Sequence, residues 1–127
     1  MRLTLMVRPG RLAVCRLSAH AVIPEWADGP GLCSITRSPG ELSVVCDEDR
    51  VPENARCERG WRGLEVRGPL DMSQIGVLSS IAEPLARDGV GLLAISTYDT
   101  DWILVCESDL EAAKSSLVSA GHRVEEP

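Results

Sequence analysis

Two apolar runs flanking a short polar turn constrain this chain more than any other feature. Leu92-Leu93-Ala94-Ile95 leads into Ser96-Thr97-Tyr98-Asp99-Thr100-Asp101, and Trp102-Ile103-Leu104-Val105 resumes the apolar pattern. Leu93 and Ile95 alternate with Leu92 and Ala94, so the stretch Gly89 to Val105 reads as strand, turn, strand in a partly covered sheet. The turn gathers Ser96, Thr97, Asp99, Thr100 and Asp101. Ionised carboxylates accept charge-assisted hydrogen bonds from an amine or guanidinium, and hydroxyls donate as well as accept, so this cluster suits a small cationic or zwitterionic ligand. Asp and Thr are also ordinary turn residues. Both readings stand at this point.

Around that hairpin the chain divides into a strand-rich first half and a more regular second half. Runs at Leu3 to Val7, Arg11 to Leu17, Leu32 to Thr36 and Glu41 to Asp47 read as short strands, with Pro9-Gly10 and Ser38-Pro39-Gly40 as tight turns. Ile23 to Gly31 allows at most a short helical turn, and Pro52 a second brief one. Gly63 to Gly68 alternates as a strand, with Leu64 and Val66 on one face. From Gln74, the residues Ile75, Leu78, Ile81, Ala82, Leu85 and Ala86 recur at helical spacing. Ser73 is the expected N-cap and Gly89 the stop, while Pro84, inside the helix, removes a donor and should kink the axis or shift its hydrogen bonding. A second helix runs from Asp109 to about Ala120, stopped by Gly121, and Arg123 to Glu125 is a short last strand. The second half thus has the order βαββαβ, which the first repeats in shortened form. The expected core sets Ile75, Leu78, Leu85, Leu110 and Leu117 against Leu64, Val66, Leu93, Ile95, Ile103 and Val105.

Length and charge remove several function classes. A chain of 127 residues is long enough for one compact unit or two small modules. A net charge of -6, with no basic stripe interleaved with aromatics, argues against nucleic acid as a partner. The apolar stretch Leu3 to Val7 is cut short by Arg8-Pro9-Gly10-Arg11, too soon for a membrane span or a signal-peptide core, so the expected location is the cytoplasm. Cys15, Cys33, Cys46, Cys57 and Cys106 are scattered, with no CxxC and no zinc-like spacing, which argues against a metal site or a disulfide framework, and Cys15, Cys46 and Cys106, each within or at the end of a strand-like run, are expected to be core residues. His20 and His122 carry no nucleophile motif. No cofactor is expected.

The element order, with Gly68-Pro69-Leu70-Asp71, Ile75-Gly76-Val77-Leu78, Pro84-Leu85-Ala86, Gly89-Val90-Gly91 and the run Ile95 to Val105, resembles tandem ACT-domain proteins. Within that family it resembles small bacterial relatives of the CASTOR-type amino-acid sensors. The resemblance is strongest over Trp61 to His122; in the first half Trp26-Ala27-Asp28-Gly29, Ser34-Ile35-Thr36-Arg37 and Glu41 to Cys46 look like a degenerate copy. It implies an α+β fold of two ferredoxin-like (βαββαβ) modules, the first shortened, over 1-60 and 61-127, with helices on antiparallel sheet. It also implies a non-enzymatic regulator holding an amino acid at the interface of modules. Four modules cooperate in the CASTOR-like branch, so a two-module chain would have to form a homodimer. The implied site comprises Gly68, Leu70, Asp71, Ile75, Gly76, Val77, Leu78, Ser96, Thr97, Asp99 and Asp101. In it, amides near Gly76, Val77 and Leu78 face a carboxylate, because the first N–H groups of a helix lack internal partners. Asp101 faces the amine or side-chain cation. A pure interaction or dimerisation module, or a regulator acting on a partner protein, accounts for the same residues. An enzyme would need a nucleophile, metal constellation or phosphate loop, and none is visible.

Overall fold

The computed structural model describes all 127 residues. Its strands are β1 (Thr4–Val7), β2 (Leu12–Leu17), β3 (Ser34–Arg37), β4 (Leu42–Asp47), β5 (Cys57–Val66), β6 (Leu93–Ser96), β7 (Asp101–Cys106) and β8 (Arg123–Glu125). The helices are α1 (Val77–Arg87) and α2 (Leu110–Ser119), with one-turn 3-10 helices at Glu25–Ala27, Glu48–Arg50 and Glu107–Asp109. The chain is a mixed α+β fold, consistent with tandem ferredoxin-like modules. It forms two compact units, Met1–Pro9 with Arg62–Pro127, and Gly10–Trp61. Residues 1–9 therefore group with the second half of the sequence, not with the rest of 1-60.

In the larger unit the strand order is β8-β1-β5-β7-β6. From β5 onward the expected βαββαβ order holds, but β8 does not pair with β5. It runs parallel to β1, Leu5 opposite Val124, while β1 pairs antiparallel with β5, Leu5 opposite Val66. The sheet is thus not purely antiparallel, and Pro9-Gly10 is not a hairpin turn: β1 and β2 each pair antiparallel with β5, within their own unit. Alternation puts Leu5, Val7, Leu64, Val66, Ile103 and Val105 in the core beneath Val77, Ile81 and Leu85 of α1 and Leu110, Ala113 and Leu117 of α2.

Two expectations for this core fail together. The helix begins at Val77, not Gln74, because Gly76 holds φ 89 and breaks the helical path before it, so Ser73 is not its N-cap. The buried stripe is therefore Val77, Ile81, Pro84, Leu85, leaving Ile75 90% exposed and outside the helix and Leu78 partly exposed at the rim. Leu93 is also exposed, as β6 lies at the sheet edge.

Pro84 sits inside α1 without ending it. Proline lacks the N–H that would reach the carbonyl four residues back, leaving the Ser80 carbonyl without its helical donor. The buried ring of His122 closes that gap, with Nε2 2.9 Å from the Ser80 carbonyl and Nδ1 3.1 Å from the Leu3 amide. Since Nδ1 accepts from an amide, Nε2 carries the proton. Ser116 Oγ, 3.0 Å from the Pro84 carbonyl, ties α2 to the same turn.

The smaller unit contains β3-β4-β2 and the first half of β5, with 3-10 turns and no α-helix. Its second turn lies at Glu48–Arg50, ahead of Pro52, because the Asp47 carboxylate accepts from the Asp49 amide at 2.9 Å and caps it there. Ala13, Cys15, Ala27, Val44, Cys46 and Val51 form a core of small side chains. Cys106 is only half-buried, whereas Cys15 and Cys46 are core residues.

Candidate functional site

The loop between β5 and α1 and the hairpin between β6 and β7 face one another in the larger unit. Leu70 N–H donates to the Asp99 carbonyl at 2.7 Å, joining the two loops. Gly68 makes that approach possible: a Cβ there would lie 2.8 Å from the Asp99 carbonyl oxygen. The hairpin closes on itself through Thr97. Its amide and hydroxyl both donate to the Thr100 carbonyl, at 2.8 and 3.0 Å, and its hydroxyl oxygen lies 3.2 Å from the Thr100 amide. Thr100 is buried, with its hydroxyl donating to the Val66 carbonyl.

Between these loops lies a groove of about 500 Å³, open on one side. Among the expected site residues, Leu70, Asp71, Gly76, Val77, Leu78, Ser96, Thr97, Asp99 and Asp101 line it. Gly68 stands behind the wall as a spacer, and Ile75 projects into solvent instead of lining the groove. Thr100, a member of the turn cluster, lines it as well, and so do Met72, Gln74, Ser79 and Tyr98, which the sequence did not point to. Tyr98, between Thr97 and Asp99, is the most legible of these in the sequence; Ser79 joins the lining because α1 starts at Val77.

The lining contains three carboxylates, on Asp71, Asp99 and Asp101, and no Lys, Arg or His. Asp71 accepts from the Ser73 amide at 2.9 Å and the Ser73 hydroxyl at 2.8 Å, and these bonds hold its carboxyl below the ordinary carboxylate range. The opposite wall begins α1, where no side chain caps the helix start. The first amides of a helix carry partial positive charge and lack internal acceptors. The groove thus combines anionic side chains with the start of a helix in one lining.

Burial pushes the Cys15 thiol up to about 12 and raises that of Cys46. No group of three or more His, Cys, Asp or Glu residues is placed to hold a metal ion. No helix is long and apolar enough to cross a membrane.

Similarity to known proteins follows the same division of the chain. A family model for an N-terminal domain matches residues 10–54, and the ACT-domain model matches residues 56–119. The bovine cytosolic arginine sensor for mTORC1 subunit 1 is 33% identical over 95 residues, covering 66% of this chain and 29% of that protein. Human CASTOR3P is 29% identical over 101 residues, covering 68% of this chain and 61% of that protein. The chain therefore spans less than two thirds of either curated relative. A crystal structure of an Agrobacterium tumefaciens protein is 39% identical with a TM-score of 0.95, covering 100% of this chain and 95% of that one. The regulatory subunit of aspartate kinase from Thermus thermophilus shares the fold at 10% identity and a TM-score of 0.61, covering 92% of this chain and 96% of that one. With the ACT-domain model spanning residues 56–119, just over half of the 127, the chain belongs to the ACT-domain family.

Proposed function

We propose that the groove binds an amino acid and that the protein is a non-enzymatic, cytoplasmic regulator whose assembly or partner contacts respond to that ligand. The observation that carries this reading is the charge layout: three carboxylates, no basic side chain and the uncapped start of α1 share one lining. The ligand's carboxylate meets the amides at Val77 and Leu78, and its amine or side-chain cation meets Asp101 with Asp99 and Asp71 nearby. Ser96 adds a hydroxyl, whereas the Thr97 hydroxyl already serves the turn and contributes through its position. The volume suits a ligand of this size. The sensor function in the bovine relative's name agrees with this reading.

Screening the twenty amino acids by thermal shift tests it directly. A ligand at one hundred times its Kd adds about 2.7 kcal/mol of stability, a shift of several degrees in a domain of this size. Asp101→Ala is expected to abolish the shift while leaving the unliganded melting temperature nearly unchanged. A full shift in that variant would mean that the cation is held elsewhere.

A second reading is favoured by Met72, Ile75, Leu78 and Tyr98, which expose apolar surface beside or within the groove. In this reading the face is a homodimer interface that brings two modules per chain to four per assembly, and no small ligand is required. Sedimentation velocity with and without the amino acid separates the two: a ligand-independent dimer with no thermal shift favours the interface alone.

A further inference from the structure

Four of the five cysteines, Cys15, Cys33, Cys46 and Cys57, belong to the smaller unit. Among them, Cys15 on β2 and Cys57, the first residue of β5, are direct partners in the antiparallel register. One step along, the Arg16 amide donates to the Arg56 carbonyl at 2.9 Å. That makes Arg16 and Arg56 the hydrogen-bonded pair and Cys15 with Cys57 the adjacent non-hydrogen-bonded pair. At such positions Cα atoms approach to about 4.5 Å and side chains on the shared face come closest. A disulfide spans Cα separations of roughly 4.4 to 6.8 Å, so strand geometry alone brings this pair within bonding range. The two differ in access: Cys15 is in the core, whereas Cys57 packs at its margin and is only half-buried.

We propose that Cys15 and Cys57 form a reversible cross-strand disulfide when the protein meets a peroxide, giving the smaller unit a thiol-based redox device in addition to the ligand groove. Cys57 is the entry point. Its sulfur attacks one peroxide oxygen, the O–O bond breaks, and the departing oxygen leaves as water with the thiol proton, giving a sulfenic acid on Cys57. The Cys15 sulfur then attacks the Cys57 sulfur and displaces hydroxide, which departs as water with the Cys15 proton. Two thiols and one hydrogen peroxide become one disulfide and two waters: each sulfur loses one electron and the peroxide gains two. Cys15, buried in the core, is shielded from the peroxide and acts second, as the resolving thiol beside the more accessible Cys57. The bond closes a covalent loop around β3, β4 and both 3-10 turns of this unit, and closing a long loop restricts the unfolded chain.

The test uses the full reduced chain, hydrogen peroxide, and alkylation of remaining thiols with N-ethylmaleimide in denaturant, read by intact mass and non-reducing peptide mapping. Two of the five thiols are expected to become protected, with Cys15 and Cys57 peptides linked. The melting temperature is expected to rise by several degrees, and dithiothreitol is expected to reverse both changes. Cys57→Ser, at the margin of the core, removes the linkage and the rise. Five alkylated thiols, oxidation of Cys57 that stops at the sulfinic acid, or a bridge between Cys33 and Cys46 instead would each overturn the proposal. Mapping on the unmodified chain stands even where a variant folds poorly.

Discussion

Gly68 does at the scale of one residue what the groove needs: it lets two loops touch backbone to backbone. A methyl group there meets the Asp99 carbonyl at 2.8 Å and the Leu70 amide at 3.2 Å, the two groups that bond to one another. Gly68→Ala is therefore expected to cost about 1 to 3 kcal/mol in urea unfolding and to weaken any ligand-induced shift, because the hairpin must retreat. Asp99 and Asp101 were legible in the sequence, since carboxylates in a turn between two strands have few places to go. The commitment of the Thr97 hydroxyl to Thr100 was not, because one torsion decides whether a hydroxyl serves a ligand or its own turn. Cys15 offers a prediction of different sign. Its thiol titrates at about 12 in the folded chain and near 9.0 when unperturbed. Between those values the unfolded chain has lost a proton that the folded chain retains, so the stability from burial is complete below about pH 9 and falls as pH rises. Between about pH 9 and about pH 11, melting temperature is expected to drop more steeply in the native chain than in Cys15→Ala.

At the scale of elements, α1 is an amphipathic helix whose period was visible but whose phase was not. The spacing of Ile75, Leu78, Ile81 and Leu85 is helical, yet the left-handed Gly76 starts the helix later and turns Ile75 outward. Pro84 is expected to kink the axis or shift its hydrogen bonding, and the second outcome holds: His122, far along the chain, supplies the Ser80 carbonyl with a donor, a partner that local sequence cannot reveal. His122→Ala is expected to cost about 2 to 4 kcal/mol, since it orphans both the Ser80 carbonyl and the Leu3 amide. Pro84→Ala restores the local donor, so the double variant should lose less than the sum of the single changes. A double-mutant cycle by chemical denaturation reads that coupling, and strict additivity would sink the account.

For the whole molecule, the hairpin and both helices were readable because each rests on contacts close in sequence. The place of β1 was not, because pairing between Leu5 and both Val66 and Val124 joins residues that no local period connects. This yields a contrast between two truncated chains. Residues 62–127 alone lack the strand between β8 and β5 and are expected to melt without cooperativity. A chain in which a short turn joins Pro9 to Arg62 keeps that strand, and should melt cooperatively by circular dichroism, since Val7 and Leu64 already face one another. The consequence reaches how such a protein is rearranged by recombination. The smaller unit is an insert in the reading frame of the larger one, interrupting it between residues 9 and 62. It can be exchanged as a cassette without altering a codon of the groove, whereas a cut made where the ACT-domain match begins, at residue 56, removes a strand from the module it was meant to isolate.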